Sequence, residues 1–174
     1  MFLVNTRNFP PELGGMQILM GGLSAALLKY GPVKIFAEKH KNSDIHDKKF
    51  QCDITRVSGI KLFRKFRKAN LVNNYLKENP SIKALIADHW KSLEYINKKS
   101  LLNKKTLCLI HSKEINHPTN SRLNKRMIEC ISKADFIISN SNFTKRLAEN
   151  NGIDVNKIKV IHPGINFYEE PDEN

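Results

Sequence analysis

Two adjacent glycines, Gly14 and Gly15, offer the most direct chemistry in this sequence. They close a loop with two prolines that follows the apolar residues 2–4 and runs directly into the mostly apolar residues 16–28. A strand, a loop and a helix in this order present backbone N–H groups at the start of the helix, where an anion can bind. Since glycine has no Cβ, a phosphate can approach these groups closely. The pattern therefore predicts an anion-binding turn.

Two histidines end apolar segments further along the chain. His89 and Trp90 follow one segment, and His111 and Glu114 follow the next. Because ligands of an open parallel sheet bind beyond the carboxyl ends of its strands, we expect these side chains at one edge of a sheet. The remaining histidines lack the spacing of a zinc site, and no metal is expected. They are His40, His46, His117 and His162.

A basic amphipathic helix is predicted to begin at Lys61 and to end before Pro80. On a helical wheel its apolar face holds Leu62, Phe66, Ala69 and Leu76. Its basic face holds Lys61, Arg64, Lys65, Arg67 and Lys68. This pattern is typical of an ordinary surface helix whose apolar side packs in the core. It also fits a helix that docks on anionic lipid headgroups or, with less support, one that contacts nucleic acid.

The elements that must position these side chains alternate along the whole chain. Apolar runs predict strands at residues 2–4, 33–37, 50–57, 84–87, 106–110, 135–139 and 157–161. Helical periodicity predicts helices at residues 16–28, 61–79, 92–102, 122–134 and 143–149, with a polar surface loop at 38–49. The predicted fold class is α/β, a Rossmann-like doubly wound parallel sheet flanked by helices.

Composition predicts one compact domain with anionic partners. The 174 residues carry 29 Lys+Arg and 17 Asp+Glu, a net charge of +12, which favours phosphorylated molecules, nucleic acid or an acidic membrane, or serves only solubility. Three dispersed cysteines, no evident signal peptide and no apolar stretch of membrane-spanning length favour a cytoplasmic location, with possible peripheral contact with a membrane. We expect the domain at residues 1–166, followed by an acidic tail or the start of a linker at 167–174.

Three segments resemble one protein family. Residues 9–15 (FPPELGG) look like the N-terminal signature of glycosyltransferase family four, retaining enzymes of the GT-B fold. Residues 134–147 (ADFIISNSNFTKRL) are similar to the family's late strand, cap and helix, and residues 157–166 (KIKVIHPGIN) look like its segment leading out of the N-terminal domain. The segments keep the family's order over nearly the whole chain.

The resemblance implies roles for individual residues. Gly14 and Gly15 match the glycine loop that lies near the donor pyrophosphate, and His111 matches a histidine beside the transferred sugar. Residues expected near the acceptor are Glu12, His89, Trp90 and Glu114.

The resemblance also implies a second domain. Relatives carry a further Rossmann-like domain with the basic residues that hold the donor diphosphate and two glutamates separated by seven residues. The acidic residues 169–173 lack that spacing. We therefore expect a truncated chain, or a donor domain supplied in trans, and little transferase activity from this chain alone.

The expected function is transfer of a hexose from a nucleotide sugar to a hydroxyl group of a saccharide or lipid-linked saccharide, without a metal or other cofactor. The basic helix would place the acceptor at a membrane surface. The alternative is a non-catalytic Rossmann-like module whose basic surface binds a partner protein or nucleic acid. Nucleic acid is disfavoured because the basic residues lack the interleaved aromatic side chains of a stacking platform, Phe63 and Phe66 being assigned to the core.

Overall fold

The computed structural model describes residues 1–164. Seven parallel strands form one sheet. They are β1 (Phe2–Asn5), β2 (Val33–Glu38), β3 (Asp53–Val57), β4 (Ala84–Ala87), β5 (Lys105–Ile110), β6 (Phe136–Ser139) and β7 (Ile158–Val160). The predicted boundary at residue 166 and the predicted acidic tail at 167–174 lie outside the described residues.

Within residues 1–164, seven α-helices connect the strands. They are α1 (Gly15–Leu27), α2 (Ser43–Asp47), α3 (Lys61–Glu78), α4 (Trp90–Leu93), α5 (Ser112–Ile115), α6 (Arg122–Ile131) and α7 (Asn142–Asn150). Short 3-10 helices span Leu28–Tyr30, Lys98–Leu101 and Val155–Lys157.

The strand order is β3-β2-β1-β4-β5-β6-β7, so the direction of winding reverses between β1 and β4. This arrangement confirms the predicted doubly wound α/β fold. Because all strands are parallel, the residues that follow β1, β4, β5 and β6 meet at one edge of the sheet, here called the carboxyl edge.

The two faces of the sheet are covered unequally. On one face, α3, α4, α6 and α7 pack over a core that includes Leu85, Trp90 and Ile110. On the other face, α1 packs through Met20 with Phe9 and Cys52 over the middle of the sheet. Adjacent strand residues alternate between these two cores, as the pleat of a strand requires.

The predicted apolar face of α3 is wrong in its first half. The buried residues of α3 are Lys68, Ala69, Val72, Asn73 and Leu76. Leu62 and Phe66, which were assigned to the core, are exposed, and Phe63 is 62% exposed. Only the second half of the helix packs on the sheet, so a helical wheel over its first turns could not identify the buried side.

The predicted helix at residues 92–102 is also wrong, since α4 ends at Leu93. Side chains from other elements bind the backbone here: Lys133 Nζ donates to the carbonyls of residues 93, 94 and 96, and Asn73 bonds the Tyr95 carbonyl and the Asn97 N–H. These tertiary hydrogen bonds satisfy backbone groups that a helix would otherwise pair internally.

Candidate functional site

The start of α1 leaves its first backbone N–H groups available. The Ile18 N–H bonds to the Gly14 carbonyl, which leaves the N–H groups of residues 15–17 without an intrahelical partner. No side chain caps this end, and no acidic residue lies in the first turn. A Cβ on Gly15 would meet no atom within 4 Å, so packing within this chain does not require glycine there. The geometry suits an approaching anion.

Asp88, which the sequence analysis did not select, holds the loop that leads to these glycines. Its buried carboxylate accepts hydrogen bonds from Thr6 Oγ1, from the Arg7 N–H and from both the backbone and the side chain of Asn8, at 2.9–3.1 Å. Its other oxygen accepts from Ser92 Oγ at 2.7 Å. Asp88 thus joins the ends of β1 and β4. The sequence contains one signal that could have identified Asp88: an acidic residue directly after an apolar strand.

Lys68 completes this network from α3. Its Nζ donates to the Thr6 carbonyl at 2.6 Å, and the residue is only 4% exposed. Burial lowers the pKa of Lys68 to about 8, against the opposing attraction of Asp88 and Glu38. The prediction that Lys68 belongs to a membrane-facing surface is therefore wrong, because its charge lies inside the fold.

His89 and Glu114 come together as predicted for one edge, but they bind each other. His89 Nε2 lies 2.9 Å from Glu114 Oε2, and His89 Nδ1 accepts the Lys91 N–H at 3.0 Å. The Trp90 indole donates to the Glu114 carbonyl, and Trp90 is fully buried. The prediction that Trp90 contacts an acceptor is wrong for that reason. These residues tie the end of β4 to the end of β5.

His111 and Asn140 have polar atoms with no partner in the described part of the chain. His111 Nε2 and Asn140 Oδ1 are both inaccessible to solvent and unbonded there. Burial lowers the pKa of His111, and this effect outweighs the attraction of Glu114 and Asp88. His111 therefore carries a neutral ring near pH 7, able to exchange one hydrogen bond with a ligand.

The apolar groove is a cavity of about 610 Å³ between α1 and the uncovered strands. His111 and Asn140 lie in its lining. The side chains along α1 and the strands are almost all apolar. The α1 residues and strand residues of the groove are Ile18, Leu19, Gly22, Leu23, Ala26, Leu27, Phe2, Ala84, Ile86, Leu107, Leu109 and Ile138, and residues 161–164 complete it.

The basic pocket is a second cavity, of about 520 Å³, on the face covered by α3, α4 and α6. It opens where β1 and β2 end, beside Asn5 and Glu38. Its cationic lining residues are Arg7, Lys61, Lys65, Lys68, Lys91 and Arg126. The other lining residues are Asn5, Glu38, Leu62, Ala69, Ser92, Glu94, Tyr95 and Leu123.

The residues predicted to bind an acceptor do not line the basic pocket. Glu12 lies instead beside α1, where it accepts a hydrogen bond from Gln17 at 2.9 Å and lies 3.8 Å from His40. Three residues of the predicted basic face do line it: Lys61, Lys65 and Lys68. The other two bond locally, Arg64 to Glu38 at 2.9 Å and Arg67 to the Ser58 carbonyl at 3.4 Å.

Residues 1–164 contain no group of three or more side chains arranged to hold a metal ion. Within the same range, none of the helices combines the length and apolar character that crossing a bilayer requires.

Comparison with protein families gives one match. Residues 13–168 match the model of Glycosyltransferase Family 4. Comparison with curated proteins gives no significant match.

Several solved structures have a fold similar to that of this chain. Anabaena HepE in complex with UDP-glucose has a TM-score of 0.68 at 12% identity, covering 95% of this chain and 44% of HepE. The lipopolysaccharide outer core galactosyltransferase WaaB has a TM-score of 0.65 at 17% identity, covering 100% and 50%. Sucrose-phosphate synthase from Thermosynechococcus elongatus has a TM-score of 0.67 at 15% identity, covering 95% and 49%. The chain thus spans about half the length of these structures.

Proposed function

The chain belongs to glycosyltransferase family 4, and on that premise we propose that it is the N-terminal, acceptor-side domain of an enzyme that transfers a hexose from a nucleotide sugar to a hydroxyl group. The observation that carries the proposal is the family match over residues 13–168, which includes both the glycine loop and His111. The predicted family is confirmed. The acceptor in this proposal is a saccharide or a lipid-linked saccharide, and the reaction uses no metal.

The start of α1 is the proposed contact for the donor phosphates. The N–H groups of residues 15–17 have no intrahelical partner, and the first turn itself contains no acidic residue, the nearby Glu12 carboxylate being bonded to the Gln17 side chain. The space beside Gly15 is open, since a Cβ there would meet no atom within 4 Å, whereas the Gln17 side chain lies against Gly14. Backbone dipoles held in place in this way stabilise a leaving diphosphate without reorganising during the reaction.

His111 is the proposed contact for the transferred sugar. Its Nε2 has no partner among the described residues, and burial keeps its ring neutral near pH 7. A neutral imidazole can donate a hydrogen bond to a sugar oxygen or accept one from a sugar hydroxyl. Its role in the proposal is to orient the sugar, since bond breaking depends mainly on stabilising the charge of the diphosphate.

Transfer would also require a donor domain, in the same polypeptide or in trans. The solved structures that this chain resembles are about twice its length. A test begins with the coding sequence downstream of Asn174: an open frame with two glutamates separated by seven residues is the expected result. The extended chain is then assayed with radiolabelled nucleotide hexoses and a panel of saccharides.

Two comparisons make this assay decisive. The extended chain is expected to transfer hexose, and His111→Ala in that chain is expected to reduce kcat about 100-fold. The 174-residue chain assayed alone serves as the baseline and is expected to show little turnover. Full activity of the His111→Ala chain, or equal turnover by the 174-residue chain, would contradict the proposed roles.

We also propose that the first half of α3 docks on an anionic membrane surface, which would bring a lipid-linked acceptor to the site. Lys61 and Lys65 lie among exposed apolar side chains there, including Leu62 and Phe63. Cationic and apolar groups on one helix end are typical of peripheral membrane binding. The resulting location is cytoplasmic and peripheral.

Liposome flotation tests this docking with a matched pair of variants. Phe63 and Phe143 are each 62% exposed, but Phe143 lies on α7. Phe63→Ser should weaken binding to anionic vesicles about tenfold, since it removes the apolar contact, while Phe143→Ser should leave it unchanged. Equal binding to neutral and anionic vesicles, or equal loss in both variants, would contradict membrane docking through α3.

One observation favours the alternative that the chain is a non-catalytic binding module. Phe63 and Phe66 are not in the core as predicted but are exposed beside the lysines of α3, where aromatic rings can stack on nucleic-acid bases. Filter binding with single-stranded RNA distinguishes the alternatives. If the chain binds RNA tightly, loses this binding in the Phe63→Ser variant and does not bind vesicles, the binding module is favoured.

A further inference from the structure

The basic pocket carries more positive charge than its own carboxylates compensate. Six cationic side chains and two carboxylates line it. Glu38 already pairs with Arg64 at 2.9 Å and lies 3.9 Å from Arg7, and Glu94 pairs with Arg126. Within residues 1–164, Lys61, Lys65 and Lys91 have no carboxylate within ion-pair distance. The pocket therefore presents unneutralised ammonium groups.

Aromatic rings hold two of these ammonium groups in place. Lys65 Nζ lies 5.2 Å from the centre of the Tyr95 ring, and Lys91 Nζ lies 5.1 Å from the centre of the Trp90 ring. Burial and the nearby charges of Arg7 and Arg126 lower the pKa of Lys91. Lys65 reaches the pocket from α3 and Lys91 from α4, so they approach it from different walls.

Asn5, a residue of the pocket lining, has a hydrogen-bond acceptor without a partner among the described residues. Asn5 is 1% exposed, and its Nδ2 donates to the Ser92 carbonyl at 2.7 Å. Asn5 Oδ1 is buried and has no partner within the described chain. An unpaired buried acceptor is costly, and a hydroxyl group entering the pocket would satisfy it. This atom points to a ligand that carries hydroxyl groups.

We propose that the basic pocket binds a phosphate-bearing saccharide, with Asn5 receiving a sugar hydroxyl and with Lys61, Lys65 and Lys91 receiving the phosphate. A phosphate monoester carries up to two negative charges and several acceptor oxygens, which suit ammonium groups on separate walls. The volume of about 520 Å³ is within the usual range for small-molecule sites. As the acceptor of the transferred hexose, this ligand rests on the proposed function, and it would meet the sugar at the carboxyl edge, where both the pocket opening and His111 lie. The phosphate belongs either to a soluble sugar phosphate or to a lipid-linked one.

Isothermal titration calorimetry on the 174-residue chain tests the proposal. The soluble probes are glucose, mannose and N-acetylglucosamine, each free and as the 6-phosphate, together with inorganic phosphate. The membrane probe is phosphatidylcholine vesicles with and without a polyprenyl phosphate sugar. At least one phosphorylated probe should bind about tenfold more tightly than its unphosphorylated counterpart and than inorganic phosphate. Preference in solution indicates a soluble acceptor, and preference only in vesicles indicates a lipid-linked one.

A matched pair of double variants locates the binding. Lys65→Gln with Lys91→Gln should weaken the preferred probe at least tenfold, since two charged contacts are lost. Lys77→Gln with Lys98→Gln removes the same net charge from exposed positions outside the pocket and should change binding less than twofold. All four side chains are exposed, so the variants should fold.

Three results would overturn the assignment: no phosphorylated probe binds, phosphorylation gives no preference, or both double variants weaken binding equally. Equal binding of free and phosphorylated sugars would leave the proposed transferase intact. The opposite outcome is also possible to detect. If the Lys65→Gln, Lys91→Gln double variant loses the phosphate preference but the extended chain transfers no hexose, the proposed function is contradicted and the phosphate site in the basic pocket is supported.

Discussion

The basic pocket and the apolar groove lie on opposite faces of one sheet and differ in how completely helices cover them. On the face of the basic pocket, α3, α4, α6 and α7 cover the strands, and the cavity described here lies where the helix ends meet the carboxyl edge. On the other face, the groove beside α1 exposes strand side chains such as Leu107 and Ile138. Polar helix ends line the first cavity, and the apolar pleat of the sheet lines the second.

This difference shows that chemically distinct cavities can arise from a single parallel sheet. The strands supply alternating apolar side chains to both faces, whereas helix ends and loops supply nearly all charged groups. His111, Asn140 and His162 are the polar exceptions in the groove, because all three follow the ends of strands.

Removing Asp88 should disrupt the boundary that both cavities share. Its carboxylate holds the loop that runs from Arg7, in the basic pocket, towards Pro10, which packs against α1. Asp88→Ala should lower the free energy of unfolding by about 3 kcal/mol, because several buried donors lose their acceptor. Urea unfolding measures this change. The control Asp154→Ala, which removes an exposed helix cap, should cost about 1 kcal/mol or less. Equal losses would contradict the central role of Asp88.

Lys68, which lines the basic pocket, should make the free energy of unfolding of the chain rise with pH. Its native pKa is about 8 and its ordinary value is 10.5, so between these values the unfolded chain binds a proton that the native chain has released. The free energy of unfolding should therefore rise by about 2 kcal/mol between pH 8 and pH 10, relative to Lys68→Met. Lys77→Met, an exposed change on the same helix, should retain the rise. A parallel pH profile for wild type and Lys68→Met would refute this effect.

Two neighbouring glycines of α1 distinguish an open groove from a packed helix face. A Cβ on Gly22 would meet no atom within 4 Å, whereas a Cβ on Gly21 would lie 3.1 Å from Pro10 Cγ. Gly22→Ala should raise the free energy of unfolding by about 1 kcal/mol, because alanine favours the helix. Gly21→Ala should raise the free energy of unfolding less, or lower it, because the added Cβ would press against Pro10. Thermal unfolding compares them, and an equal gain in both would show that the two faces of α1 are equally open.

Substitution of His111 should change the free energy of unfolding least, and only at acid pH. Burial lowers its pKa below the ordinary 6.5, so as the pH falls through this range the unfolded chain takes up a proton before the native chain does. The native chain should therefore lose stability on acidification, and His111→Gln should lose less. Unfolding at pH 7.0 and pH 5.5 measures the difference, and an NMR titration reports the imidazole directly. An imidazole that titrates above 6.5 would contradict its burial in the groove.

Local patterns were sufficient to predict most elements of the fold. Short apolar runs such as residues 84–87 and 106–110 became strands close to their predicted bounds, because buried parallel strands have continuous apolar sequences. The position of His111 at the carboxyl edge followed from the same reasoning. The helix at 92–102 failed because Lys133 and Asn73 bind its backbone from other elements, and local propensity cannot register such partners.

The alternation of strands and helices, the family and the glycine loop can be predicted from the sequence, since each depends on residues close together in the chain. The three-dimensional structure is needed to show that Lys68 is buried against Thr6, that Trp90 lies in the core and that Asp88 joins β1 to β4. It also placed lysines of α3 and α4 around one pocket. The physical reason is that burial and charge compensation depend on partners tens of residues away, which a helical wheel or a local motif does not contain.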